Sequence, residues 1–103
     1  MGNTVLVTHE AKAKLSDAFQ WYESKRTGLG HEFLGAFSDC FALIQRQPEI
    51  FPEVRGYRKG LPRKFPYLFF YRFEDGIVTV YQIFHSSENP QKWTRGLQRQ
   101  MRP

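Results

Sequence analysis

The sequence predicts an α+β domain, an antiparallel helix hairpin packed on a mostly antiparallel four-stranded sheet in the order β-α-α-β-β-β. Three observations lead there. Residues 63–85, RKFPYLFFYRFEDGIVTVYQIFH, set two aromatic, β-branched runs on either side of Asp75-Gly76, a dipeptide suited to the positive φ angles of a tight turn. Two upstream segments instead repeat apolar residues at helical spacing. The helical and extended patterns are also segregated along the chain, with only one short strand ahead of the helices.

Asn3 to Thr8 (NTVLVT) is β-branched and reads as a strand over 3–8. Thr8 then suits an N-cap, with Glu10 near the positive end of the helix dipole. Ala11, Leu15, Ala18, Phe19 and Tyr22 form one apolar stripe, giving a helix over 9–26 that Gly28-Leu29-Gly30 interrupts. A second helix is expected over 31–47, where Phe33, Phe37, Phe41 and Ile44 share a stripe flanked by Leu34 and Cys40, and Pro48 stops it. So short a link makes the two helices an antiparallel hairpin with facing stripes.

VRGYRKGL reads as a basic strand over 54–61, weakened by Gly56 and Gly60 and ended by Pro62. The hairpin strands follow over 65–73 and 77–84. With Asp75-Gly76 as the loop, Phe73 pairs with Val78, Tyr71 with Val80, Phe69 with Gln82 and Tyr67 with Phe84. Strand alternation puts these on one face, with Leu68, Phe70, Arg72, Thr79, Tyr81 and Ile83 on the other. So apolar a hairpin needs further strands and a covering layer, which the helices supply. A short helix over 90–99, with Trp93 and Leu97 packing back, completes a single domain over 1–103.

Composition agrees with a folded domain: 103 residues, 41% apolar and 17% aromatic. Cys40 is the lone cysteine, which excludes an internal disulfide and a cysteine-rich zinc site. The amino terminus lacks the basic-then-apolar pattern of a signal peptide, and no apolar run approaches the roughly 20 residues of a membrane helix. A soluble cytoplasmic protein without a membrane partner is expected. Charge is uneven. Residues 1–54 carry five basic and seven acidic side chains, whereas residues 55–103 carry ten basic and three acidic. Arg55, Arg58, Lys59, Arg63 and Lys64 form one acid-free run, and Lys92, Arg95, Arg99 and Arg102 another. The second half therefore suits a polyanion or an acidic protein, or else is simply a solvated basic surface.

Chemistry is sparse. His9, His31 and His85 are far apart in sequence, so no metal site and no cofactor are expected. Ser86-Ser87 beside His85 lacks an acid partner for a hydrolytic triad. Arg58, Lys59, Arg63 and Lys64 lie near Tyr57, Tyr67 and Tyr81, a mixture that fits phosphate contact and base stacking. It also fits RNA cleavage, with cations stabilising the phosphorane and His85 as acid or base. The competing reading makes the tyrosines sheet formers and His85 a structural residue at a strand end.

LSDAFQWYESKRTGLGHEFLGAF, then IQRQPEIFP, RKFPYLFFYRF and VYQIFHSSENPQKW, resembles the RelE/ParE superfamily of bacterial toxins, most of all its ParE-like, plasmid-stabilisation branch. The resemblance covers about residues 4–95. Its landmarks are the WYE end of helix one, the GLG link with its following Phe, the P-E-x-F-P turn, the FPY-x-x-x-Y strand and His-x-x-x-x-Pro after the last strand; their order and spacing make them specific together.

The resemblance implies a RelE/ParE-like β-α-α-β-β-β fold. It also implies a toxin of a type II toxin–antitoxin system, held in a hetero-oligomer by a ParD-like antitoxin with a DNA-binding amino-terminal domain. ParE-like members poison DNA gyrase; RelE-like members are endoribonucleases that cut mRNA on the ribosome. For a ribonuclease the candidates are Arg58, Arg63, Lys64 and His85, yet the usual carboxy-terminal tyrosine is missing after His85. Binding of gyrase, with no chemistry of the chain's own, is therefore the favoured expectation. Target contacts are expected at Arg58, Lys59, Arg63, Lys64, His85, Lys92 and Arg95. Antitoxin contacts are expected at Leu15, Phe19, Tyr22, Phe37, Arg58, Arg63 and Tyr71, of which the apolar ones fit a core role equally well. Relatives often carry His-x-x-Arg-x-Pro where this chain has Glu88, so Glu88 either forfeits a target contact or pairs locally with an arginine.

Overall fold

The computed structural model describes residues 3–88. Along them run β1 (Thr4–Val7), α1 (His9–Lys25), α2 (Leu29–Arg46), β2 (Glu53–Val54), β3 (Tyr57–Gly60), β4 (Tyr67–Glu74) and β5 (Ile77–His85). They form a five-stranded sheet in the order β1-β5-β4-β3-β2, with β1 parallel to β5 and the other pairs antiparallel. The α+β class and element order are as the sequence predicts; the strand count is not. The expected strand over 54–61 is two strands, because Arg55 and Gly56 both take positive φ (53° and 84°) and turn the chain back on itself. Two successive positive angles suit a two-residue hairpin loop, and Asp75-Gly76 repeats them at 52° and 75°. Gly60 remains inside β3 because the Phe69 ring lies where its side chain would be. The helix expected over 90–99 lies outside the described residues.

Thr8 joins β1 to α1. Its backbone N–H donates to the Val80 carbonyl at 3.0 Å, extending the parallel ladder by one bond. Its hydroxyl accepts from the Ala11 N–H (3.2 Å), the expected N-cap, and donates to the Tyr81 carbonyl (3.0 Å). Tyr81 is the extra residue of a β-bulge: Tyr71 pairs with Val80, but Phe70 pairs with Gln82.

The bulge corrects the expected hairpin register. Phe73–Val78 and Tyr71–Val80 hold, but beyond them Phe69 pairs with Ile83, Leu68 with Phe84 and Tyr67 with His85. One inserted residue exchanges faces. Ile83 joins Phe69, Tyr71, Val78 and Val80 beneath the helices, while Phe84 joins Tyr57, Leu68 and Phe70 in a second cluster. Gln82, 2% exposed, donates from its amide nitrogen to the Glu10 carboxylate at 3.1 Å.

Facing stripes of the two helices cover the first cluster: Ala11, Ala18 and Tyr22 from α1, and Phe33, Phe37, Cys40 and Ile44 from α2. Cys40 is thus a core residue, and burial pushes its thiol up to about 11. The link between helices is shorter than expected. Gly28 (φ 90°) caps α2 without a side chain. The Glu23 carboxylate accepts from the N–H groups of Gly28 and Gly30, each at 2.9 Å, and so satisfies donors that a helix start leaves open. At Gly30 a Cβ would lie 2.7 Å from the Phe19 carbonyl oxygen, so the helices touch where only glycine fits.

Two outcomes follow. Thr8→Ala removes the cap and leaves the Tyr81 carbonyl short of its donor, so denaturant unfolding should show a loss of about 1–2 kcal/mol, with Thr8→Ser recovering most of it. The bonds from Gly28 and Gly30 hold the Glu23 carboxyl below its ordinary range. Its contribution is therefore full above the pKa of an unfolded glutamate and is lost as pH falls through the lower, folded value. Glu23→Gln should flatten the thermal melting temperature against pH on the acid side, and an unchanged profile would refute this role.

Candidate functional site

Arg58 lies on β3 directly opposite Tyr71 of β4. One guanidinium nitrogen donates to the Phe51 carbonyl at 2.7 Å and the Glu49 carbonyl at 3.3 Å. The other stands 3.7 Å from the Glu49 carboxylate and 3.8 Å from that of Glu53. The buried Tyr71 hydroxyl donates to the Pro48 carbonyl at 2.7 Å. Together the two side chains clamp the P-E-x-F-P turn onto the sheet. Arg58 is a structural staple, its charge already matched by two carboxylates. Next to it, half-buried Lys59 donates its backbone N–H to Pro52 in the same turn.

Arg63 and Lys64 lie on the connection between β3 and β4. The Arg63 side chain is 85% exposed and sits 3.6 Å from Asp39 of α2. Lys64 is exposed and carries a positive φ of 72°.

His85 ends β5, on the same face as Ile83, with its ring edge-on to Tyr67 at 5.0 Å between centroids. The Ser87 N–H donates to its Nδ1 at 3.0 Å, and the Ser87 hydroxyl lies 2.6 Å from the same nitrogen. An N–H donor at Nδ1 leaves Nε2 to carry the hydrogen of the neutral ring. Glu88 folds back under this turn, accepting from the His85 backbone N–H at 3.1 Å and approaching Lys14 of α1 at 3.7 Å. Of the two roles expected for Glu88, the local pairing is the one seen, with a lysine in place of an arginine. Beside α1, His85 and Glu88 line a hollow of about 300 Å³ with Lys14, Asp17, Trp21 and Tyr67. Burial and the adjacent Tyr22 hydroxyl push the Tyr67 phenol up to about 12. Trp21 is 55% exposed, with the Lys25 ammonium 5.0 Å from its ring centroid.

The predicted residues are therefore spread out. Arg58 holds a turn, Arg63 leans on α2, and His85 sits beside α1. Among the described residues no hydrogen bond or ion pair joins any two of Arg58, Arg63, Lys64 and His85. Lys92 and Arg95 lie outside the described residues. Of the expected antitoxin contacts, Tyr22, Phe37 and Tyr71 are core residues at 9%, 1% and 0% exposure. Leu15 and Phe19 are half-buried, and Phe19 packs edge-on against His31. Among the described residues no three His, Cys, Asp or Glu side chains gather to hold a metal ion. Sequence reasoning overlooked the exposed Leu61 and the cap role of Glu23. A carboxylate five and seven residues ahead of the two glycines was the local signal for the cap.

Arg58→Ala leaves the turn carbonyls without their donor. It should cost about 1–3 kcal/mol in denaturant unfolding, and Arg58→Lys should not restore it because one ammonium cannot span both carbonyls and carboxylates.

Comparison with known proteins agrees with this architecture. The family model described as ParE toxin of type II toxin-antitoxin system, parDE, matches residues 5–90. Among solved structures, a chain of the "Chromosomal ParDE TA system from P. aeruginosa" is similar with a TM-score of 0.70. It is 15% identical in sequence, and the match covers 81% of this chain and 95% of that one. At that identity the likeness concerns the fold. No curated protein matches the chain by sequence at a significant level.

Proposed function

The chain belongs to the ParE toxin family of type II toxin–antitoxin systems, and from that membership we propose that it arrests growth by binding DNA gyrase in the cytoplasm, with a cognate ParD-like antitoxin holding it off. The family match over residues 5–90 carries this reading. The geometry supports binding over catalysis. Cleavage of RNA would need cations and an acid–base group converging on one phosphate. Here Arg58 is occupied by Glu49, Glu53 and two carbonyls, and His85 is held beside α1 by Ser87. Arg63 and Lys64 remain exposed and suit an acidic protein surface or a nucleic acid bound to it. No helix among the described residues is long and apolar enough to cross a membrane.

The test is direct. Purified protein at stoichiometric excess should inhibit gyrase supercoiling or trap cleaved DNA, and Arg63→Glu combined with Lys64→Glu should weaken that inhibition several-fold. No effect on gyrase, together with mRNA cut in a translating-ribosome assay, would replace this target with the ribosome. Expressed alone the chain should arrest growth, and coexpression with the adjacent antitoxin gene should relieve it.

A further inference from the structure

Between α2 and the β3–β4 connection runs a groove of about 260 Å³, lined by Asp39, Leu43, Arg46, Phe51, Leu61 and Arg63 among others. Leu61 is 55% exposed, an aliphatic side chain held in water by a loop with Pro62 behind it. Arg46, in the last turn of α2, is exposed, and its side chain has no hydrogen-bond or ion-pair partner among the described residues. Arg63 has one, Asp39 at 3.6 Å, with both side chains more than two-thirds in solvent. So exposed a pair is weak, and an incoming carboxylate can displace it.

Two other hollows expose large apolar side chains, and their charges differ. The one holding Leu6 and Ile77 contains Glu74 and Asp75 against Arg72 alone. The one holding Trp21 contains Asp17 and Glu88 against Lys14. The first carries an excess of carboxylate, and in the second Lys14, with Lys25 over the Trp21 ring, balances the two carboxylates around an aromatic surface. In the α2 groove two arginines flank the apolar lining against one aspartate. Of the three, it alone combines exposed aliphatic surface with a cationic rim.

We propose that this groove is the docking site of the antitoxin, through a segment that seats an apolar side chain against Leu61 and Leu43 and sets carboxylates on either side of it toward Arg46 and Arg63. The inference rests on the toxin–antitoxin reading above. It replaces the core residues Tyr22, Phe37 and Tyr71 as contact points and retains Arg63. The apolar contact supplies affinity once it is shielded from water, and the flanking arginines select an acidic segment over a basic one.

The experiment measures binding of the purified chain to the purified product of the adjacent antitoxin gene by titration calorimetry. Leu61→Glu and Arg46→Glu should each raise the dissociation constant about tenfold or more. Leu6→Glu, an equally exposed change on another surface, should stay within about twofold of the unmodified protein. Both groove variants should still arrest growth when expressed alone and should escape relief by the antitoxin. Unchanged binding in both overturns the proposal while leaving the toxin–antitoxin reading intact. Absence of binding by the unmodified chain overturns that reading and the groove assignment with it. If Leu61→Glu loses its melting transition, Arg46→Glu decides alone.

Discussion

The position of one hydroxyl organises much of this molecule. Thr8 stands where the edge strand stops and the first helix begins, and its side chain serves both sides of that junction. It accepts from the first turn of α1 and donates to the carbonyl of the bulged Tyr81. β1 ends at Val7, so the ladder along this edge of β5 runs out just where the bulge turns a carbonyl outward. A buried or half-buried carbonyl without a donor is costly, and Thr8 removes that cost while fixing where the helix starts.

The bulge then determines what the far half of β5 presents. Beyond Tyr81 the side chains change faces, so Ile83 enters the core under the helices and Phe84 goes to the second cluster. His85 follows Ile83 to the helix-covered face, beside Tyr67, and the next N–H, that of Ser86, donates to the Pro66 carbonyl at 2.7 Å. A single inserted residue thus sets the face on which the one histidine of this hairpin lies, while Arg63 leans on Asp39 of α2. The face that His85 joins is a consequence of strand register.

Several conspicuous charges turn out to hold the chain together. Arg58 secures a proline-rich turn to the sheet, Glu23 caps the second helix, and Glu88 ties the end of β5 to α1. Each is a charged group bonded to backbone groups close by, where a charge-assisted bond is stronger than one between neutral groups, and Arg58 and Glu88 meet opposite charges as well. What remains for partners is less obvious in the sequence. The aliphatic Leu61, the exposed Arg46 and Arg63, whose pair with Asp39 stands in solvent, meet only because the β3–β4 connection crosses α2.

The sequence by itself determined the local structure. Helical spacing of Phe33, Phe37 and Ile44, the Thr8 cap and the positive φ angles of Asp75-Gly76 all depend on neighbours within a few residues, and the register of Phe73 and Tyr71 follows from the turn. Family membership was legible for a related reason, since the landmarks that carry it are short and ordered along the chain. Only the tertiary structure decided the bulge, because Tyr81 alternates as regularly as its neighbours and its displacement depends on Thr8, 73 positions away. The partners of Arg58 were equally hidden. Whether a cation faces a target or a turn carbonyl is set by how strands and loops pack, and a run of basic residues reads the same in either case.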